Sequence, residues 1–241
     1  MDTVSAQPGN TYAAAAATAT RFDIYVFIHK ALREFMHHTV AAVGAMDVAD
    51  ASERAEVCDQ VELLLATLRG HVQHENDFIH TAIEARRPGG AADTAEDHVG
   101  HLEAIANLED ETHALRSAAP AQRDALALRL YRHLAAFVGE NLLHMQVEET
   151  RNNAALWALY RDDELVELHE RLMATIPPHE MALVLRWMAV ALSVPELAIL
   201  FADLRSKAPP QAVEALLGVV REQVSAPRWA RLAAAIGRQP A

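Results

Sequence analysis

The stretch VCDQVELLLATLRGHVQHENDFIHTA, residues 57–82, decides the fold. Val57, Val61, Leu64, Leu68, His71, Glu75, Phe78 and Ala82 step by four and three without a break, the period of one α-helical face. Such a stripe belongs in a core. Two of its members are the wrong chemistry for one, because an imidazole and a carboxylate are costly to bury unless something neutralises them. His71 and Glu75 stand four residues apart, one above the other on that face. The pattern recurs at His144 and Glu148, again within an apolar stripe: Leu126, Leu130, Phe137, Asn141, His144, Glu148.

Around these two stretches the chain reads as helix throughout. A first helix is expected over about residues 23–46, with Asp23 as N-cap and the stripe Tyr25, His29, Leu32, Met36, Val40, Val43. A second is expected over about 52–86, with Ser52 as N-cap, ending at Arg87-Pro88-Gly89-Gly90. A third starts near Asp93 or Thr94, carries His98, His101, Ile105, Leu108, Thr112 and Leu115, and closes near Ser117. A fourth runs from about Gln122 to at least Arg151. Four long amphipathic helices with short connections predict an all-α fold, an up-down-up-down antiparallel four-helix bundle over residues 20–160. Residues 161–241 read as a helical extension packed on the bundle. Its prolines at 177–178, 195, 209–210 and 227 each sit near a helix start, giving four short helices. Residues 1–19 read as a flexible arm.

Composition narrows the function classes. Of 241 residues 51% are hydrophobic and only 9 are glycine, which suits helices around a sizeable core. A formal net charge of −12 argues against nucleic acid and against anionic membrane surfaces. The single cysteine, Cys58, excludes an internal disulfide framework and fits a cytoplasmic location. Cys58 lies beside the stripe as a small buried hydrophobe. There is no Ser-His-Asp order and no glycine-rich phosphate loop.

Counting along the helices ties the histidines together. His29 lies about 20 residues before the first turn and His71 about 22 after it. His98 and His144 lie about 21 before and about 25 after the third turn. At about 1.5 Å per residue all four reach nearly one level, roughly 30 Å from those turns. The connection between the second and third helices fits less well, and an irregular end to the second helix would absorb the difference. Four histidines and two glutamates are too many for one tetrahedral ion. They suit two ions about 3.5–4 Å apart, with His29 and His71 on one, His98 and His144 on the other, and Glu75 and Glu148 bridging. Nitrogen and carboxylate donors without thiolates suit iron, manganese or zinc. The competing reading of the two pairs is a seam of His–Glu contacts between helices.

The set His29-x-x-Leu32-Arg33, His71-x-x-x-Glu75, Asp97-His98 and His144-x-x-x-Glu148-Glu149 resembles the hemerythrin-like (HHE cation-binding) family over roughly residues 22–152. The resemblance implies two non-haem iron ions with an oxo or hydroxo bridge inside the bundle, replaceable by zinc or manganese. It also implies a small ligand such as dioxygen, nitric oxide or peroxide, bound or sensed rather than turned over. A di-iron peroxidase, catalase-like or nitric-oxide-reducing enzyme is the alternative, as is a sensor or adaptor working through its C-terminal helices. A homodimer and a protein partner at those helices are both compatible with it. The chain departs from the oxygen carriers in two places. Its second histidine on the third helix, His101, follows His98 by three residues rather than four, and the fourth helix carries His-x-x-x-Glu in place of His-x-x-x-x-Asp. The chain is thus similar to the wider group.

Other residues carry weaker expectations. His101 is a further ligand or a partner of one. His74 is expected at the surface or beside the ligands, and Glu149 as a solvated neighbour of Glu148. Tyr25, one turn before His29, reads as a core aromatic with a second option as a proton donor or radical site near the metals. His37, His38, His80, His113, His133, His169 and His179 have no partner at ligand spacing and are expected at the surface.

Overall fold

The structure is a computed structural model that describes residues 21–238; the arm expected over 1–19 lies outside the described residues. The described residues are all-helical, with nine helices and no strand. Helix α1 is Val26–Ala45. Helix α2, residues 51–86, comprises Ala51–His74, a π-helical turn Glu75–His80 and Thr81–Arg86. Helix α3 is Ala92–Arg116. Helix α4, residues 123–159, follows the 3₁₀ turn Pro120–Gln122 and comprises Arg123–Val147, a π-helical turn Glu148–Asn152 and Asn153–Leu159. Then come α5 (Asp162–Met173), α6 (Pro178–Ala191), α7 (Val194–Lys207), α8 (Pro210–Gln223) and α9 (Ala226–Ala235).

The starts follow side-chain chemistry. Asp23 Oδ1 accepts from the backbone N–H of Tyr25 (3.0 Å) and Val26 (3.1 Å), but α1 begins at Val26, so Tyr25 and not Asp23 holds the N-cap position that the sequence reading gave to Asp23. Helix α2 corrects the sequence reading. Its cap is Asp50, whose Oδ1 accepts from Ser52 and Glu53 N–H, and Ser52 lies inside the first turn. Gly89, at φ 76°, makes the left-handed turn beyond α2 that a side chain would strain. Helices α6 to α9 each have proline at the first or second helical position, where the missing N–H is no loss. Helix α5 precedes these four proline-led helices.

Helix α1 packs on α2 and α4, and α3 packs on the same two. The centre of this ring holds Leu32, Met36, Val61, Leu64, Leu65, Leu68, Ile105, Leu115, Leu130 and Leu134, each 2% exposed or less. Each such side chain contributes about 1.5–3 kcal/mol relative to exposure. Buried Phe35 and Thr39 lie off the expected α1 stripe, and Val40 on the stripe is only half-buried. The reason is that α6 covers a second face of α1, with the Trp187 ring stacked 4.3 Å from that of Phe35. A separate apolar cluster joins α6, α7, α8 and α9 through Leu185, Leu197, Phe201, Val213, Leu217 and Leu232, with Phe27 of α1 against it.

The π turn in α2 overturns the end of the 57–82 stripe. One extra residue in a turn rotates everything beyond it by about 100°. Ile79, His80 and Ile83 are therefore buried, whereas Phe78 and Ala82 are only partly so. The end of the second helix is thus irregular, as the sequence reading allowed. No helix among the described residues is long and apolar enough to cross a membrane.

Candidate metal centre

Glu75 and Glu148 each open a π turn, one in α2 and one in α4. Their side chains meet in the middle of the ring with His29 from α1, His71 from α2, His98 from α3 and His144 from α4. Nε2 of His29 and of His71 lie 3.5 and 3.2 Å from Glu75 Oε1, while Nε2 of His98 lies 3.4 Å from Glu75 Oε2. Glu148 repeats the arrangement. Its Oε2 is 3.5 Å from His29 Nε2, and its Oε1 is 3.4 Å from His144 Nε2 and 3.8 Å from His98 Nε2. Each carboxylate thus turns one oxygen to the His29/His71 side and the other to the His98/His144 side. Glu75, His98, His144 and Glu148 form one cluster whose donor atoms lie within 4.8 Å of one another; His29, His71 and Glu75 form a second. All six sequence-predicted residues come together.

The donor atoms are left open toward this centre. Both oxygens of Glu75 and of Glu148, and Nε2 of His29 and His71, are buried without a hydrogen-bond partner. The other ring nitrogens are occupied. His29 Nδ1 faces Glu149 Oε1 at 3.0 Å, His98 Nδ1 faces Asn76 Oδ1 at 2.8 Å and His144 Nδ1 faces Asp97 Oδ2 at 3.1 Å. An oxygen acceptor at Nδ1 holds a proton there, so that the neutral ring presents a bare Nε2, the form in which imidazole binds a metal. The two bare nitrogens of His98 and His144 face each other at 3.0 Å. Two lone pairs do not attract, so a proton or a cation belongs between them. Two nitrogens each about 2.1 Å from one ion and at right angles are about 3.0 Å apart. The buried cluster can hold a metal ion.

Electrostatics points the same way. Burial would raise Glu75, but His71, His29 and His98 hold its carboxyl well below the usual range. Burial and then the charge of Glu75 push Glu148 up, so without a cation the cavity resists two carboxylates at once. Burial disfavours the imidazolium of His29, yet the hydrogen bond to Glu149 and the nearby carboxylates of Glu75 and Glu148 raise it to about 9. Burial lowers His71 to about 4. For Tyr25, burial first and then Glu148 and Glu75 push the phenol well up.

Several surrounding residues depart from the sequence reading. Glu149 is no solvated neighbour: besides His29 it binds Arg33, with Arg33 Nη1 to Oε1 at 2.6 Å and Nη2 to Oε2 at 3.0 Å, and is held down to about 2. The forked pair fixes the carboxylate that orients His29. His80, expected at the surface, is 5% exposed and stacks on His98 with ring centroids 4.7 Å apart. The π turn put it there. His101 is buried against His144, ring centroids 4.7 Å apart, and stands outside both donor clusters. His37, His38, His113, His133 and His179 are exposed as expected, and His74 and His169 are half-buried. Asn76 was missed. Its only sequence signal is its place beside Glu75 in the turn that becomes π-helical. No protein-family model, curated protein or solved structure gives a significant match to the chain.

Proposed function

We propose that the chain is a hemerythrin-like protein with two non-haem iron ions, binding or sensing dioxygen, nitric oxide or peroxide. In this reading residues 20–160 are an antiparallel up-down-up-down four-helix bundle and 161–241 its helical extension. The supporting observation is the split of each glutamate, one oxygen toward His29 and His71 and the other toward His98 and His144. His29 and His71 would hold one ion, His98 and His144 the other, and Glu75 and Glu148 would bridge them. Zinc or manganese could take the same donors. Iron in such a site supplies an exchangeable coordination position and a reversible change of oxidation state. The chain's own residues do the rest. Asn76, Asp97 and Glu149 keep three imidazoles aimed inward, and Arg33 holds Glu149. Buried Leu32 and Leu68, one turn from His29 and His71, would help to exclude water from the cluster.

A seam of His–Glu hydrogen bonds accounts less well for the geometry, since the contacts to the Glu75 and Glu148 oxygens are 3.2–3.8 Å long and none is a well-formed hydrogen bond. Metal analysis with an optical spectrum, before and after oxygen or peroxide, tests the reading. About two ions per chain and a ligand-dependent absorption are expected. Fewer than one ion per chain in iron-supplied protein would overturn it.

A further inference from the structure

Tyr25 is 1% exposed, and its ring centroid lies 4.9 Å from that of His29. A buried phenol ordinarily spends its proton on an acceptor. Around Tyr25 the hydrogen-bond directions are fixed by Thr94. The Thr94 hydroxyl donates to the Ala91 carbonyl at 3.1 Å. Its oxygen therefore accepts from Asn152 Nδ2 at 3.2 Å, and it lies 3.1 Å from His80 Nε2. This turns the amino end of the Asn152 amide inward, and Nδ2 also donates to the Tyr25 hydroxyl at 3.5 Å. Among the described residues that is the hydroxyl's one hydrogen bond, and Tyr25 is the acceptor in it. Its own proton is uncommitted.

The anchor matters as much as the free proton. Asn152 ends the π turn that Glu148 opens, so the phenol is tied to the same turn as one of the two central carboxylates. On its other side the phenol leans on His29, whose Nε2 lies 3.5 Å from both glutamates. A phenol with a spare proton is thereby held with its ring against that of His29, on the His29 side of the cluster.

We propose that Tyr25 is a specificity-determining hydrogen-bond donor to a small anion, of the azide or hydroperoxide kind, held at the cluster beside His29. The proposal rests on the metal-centre reading. The test compares iron-loaded wild type with Tyr25→Phe by metal analysis, optical titration with azide, and the infrared stretch of bound azide in H2O and D2O. Both proteins should hold equal metal. The azide Kd should rise about tenfold in Tyr25→Phe, a decade being about 1.4 kcal/mol. The wild-type azide band should move on deuteration and the variant's should not. Equal azide affinity in the two proteins overturns the proposal while leaving the metal reading intact. So does a wild-type band indifferent to deuteration, a result that does not depend on the variant folding. Fewer than one ion per wild-type chain overturns both readings together.

Discussion

Replacing Glu148 by glutamine should make the metal-free protein more stable while removing its metal. Glu148 is 0% exposed, and neither of its oxygens has a hydrogen-bond partner; the same is true of the oxygens of Glu75 beside it. A buried polar group left without a partner costs about 1–3 kcal/mol. Glutamine keeps the shape, deletes one of two opposed charges and brings an N–H that can donate to Glu75. At pH 8, with chelator present, Glu148→Gln should therefore gain about 1–3 kcal/mol, a rise in Tm of about 2–12 °C for a chain of this length. Wild type should gain about 2.7 kcal/mol from metal at a hundredfold excess over Kd, and the variant should lose that increment. A structural His–Glu seam predicts the opposite sign. Removing one partner of a buried pair costs about 3–5 kcal/mol, a fall in Tm of about 6–20 °C. Calorimetry with and without metal, alongside metal analysis, separates the two. A fall in Tm in chelator, or undiminished metal content, would refute the reasoning.

Glu149→Gln and Arg33→Met should each weaken metal affinity about 10–100-fold with the fold intact, as loss of an orienting partner does; competition with a chromophoric chelator measures it. For metal-free protein, stability should fall on both sides of about pH 6.5. His71, His80 and His101 are lowered to about 4, so their contribution is complete above the unfolded value of 6.5 and is lost as pH falls from there toward 4. His29, raised to about 9, contributes fully below 6.5 and loses its contribution as pH rises through 9. Denaturant titrations from pH 4 to 9 test this, and a monotonic profile would refute it. Asp50→Ala should cost about 1 kcal/mol by removing the α2 cap and leave metal content unchanged, whereas the same substitution at Ser52 should have little effect.

The residue pattern determined the helices and much of what they bury. All six positions read from the α3 stripe, His98, His101, Ile105, Leu108, Thr112 and Leu115, are buried. The reason is that an α-helix shows one face per 3.6 residues, and the alternation of apolar and polar residues writes that face directly into the chain. The level shared by His29, His71, His98 and His144 was legible too, because rise per residue is fixed and the connections are short. What failed is what local periodicity does not encode. A π turn costs one residue of register, and nothing in ENDFIH announces it, so Phe78 and Ala82 exchanged burial with Ile79 and Ile83. The same turn carried His80 from the expected surface to the flank of His98.

Glu149 and Asn76 were likewise settled by tertiary packing. Their partners, His29 with Arg33 and His98, lie 120, 116 and 22 residues away in the chain. A second covered face on α1 came from α6, through contacts such as Phe35 with Trp187. Sequence alone determined which six side chains gather in the buried cluster and at what height. Only the tertiary structure decided which oxygen of each glutamate faces which pair of histidines, because that choice depends on helix rotation and on neighbours from three other helices.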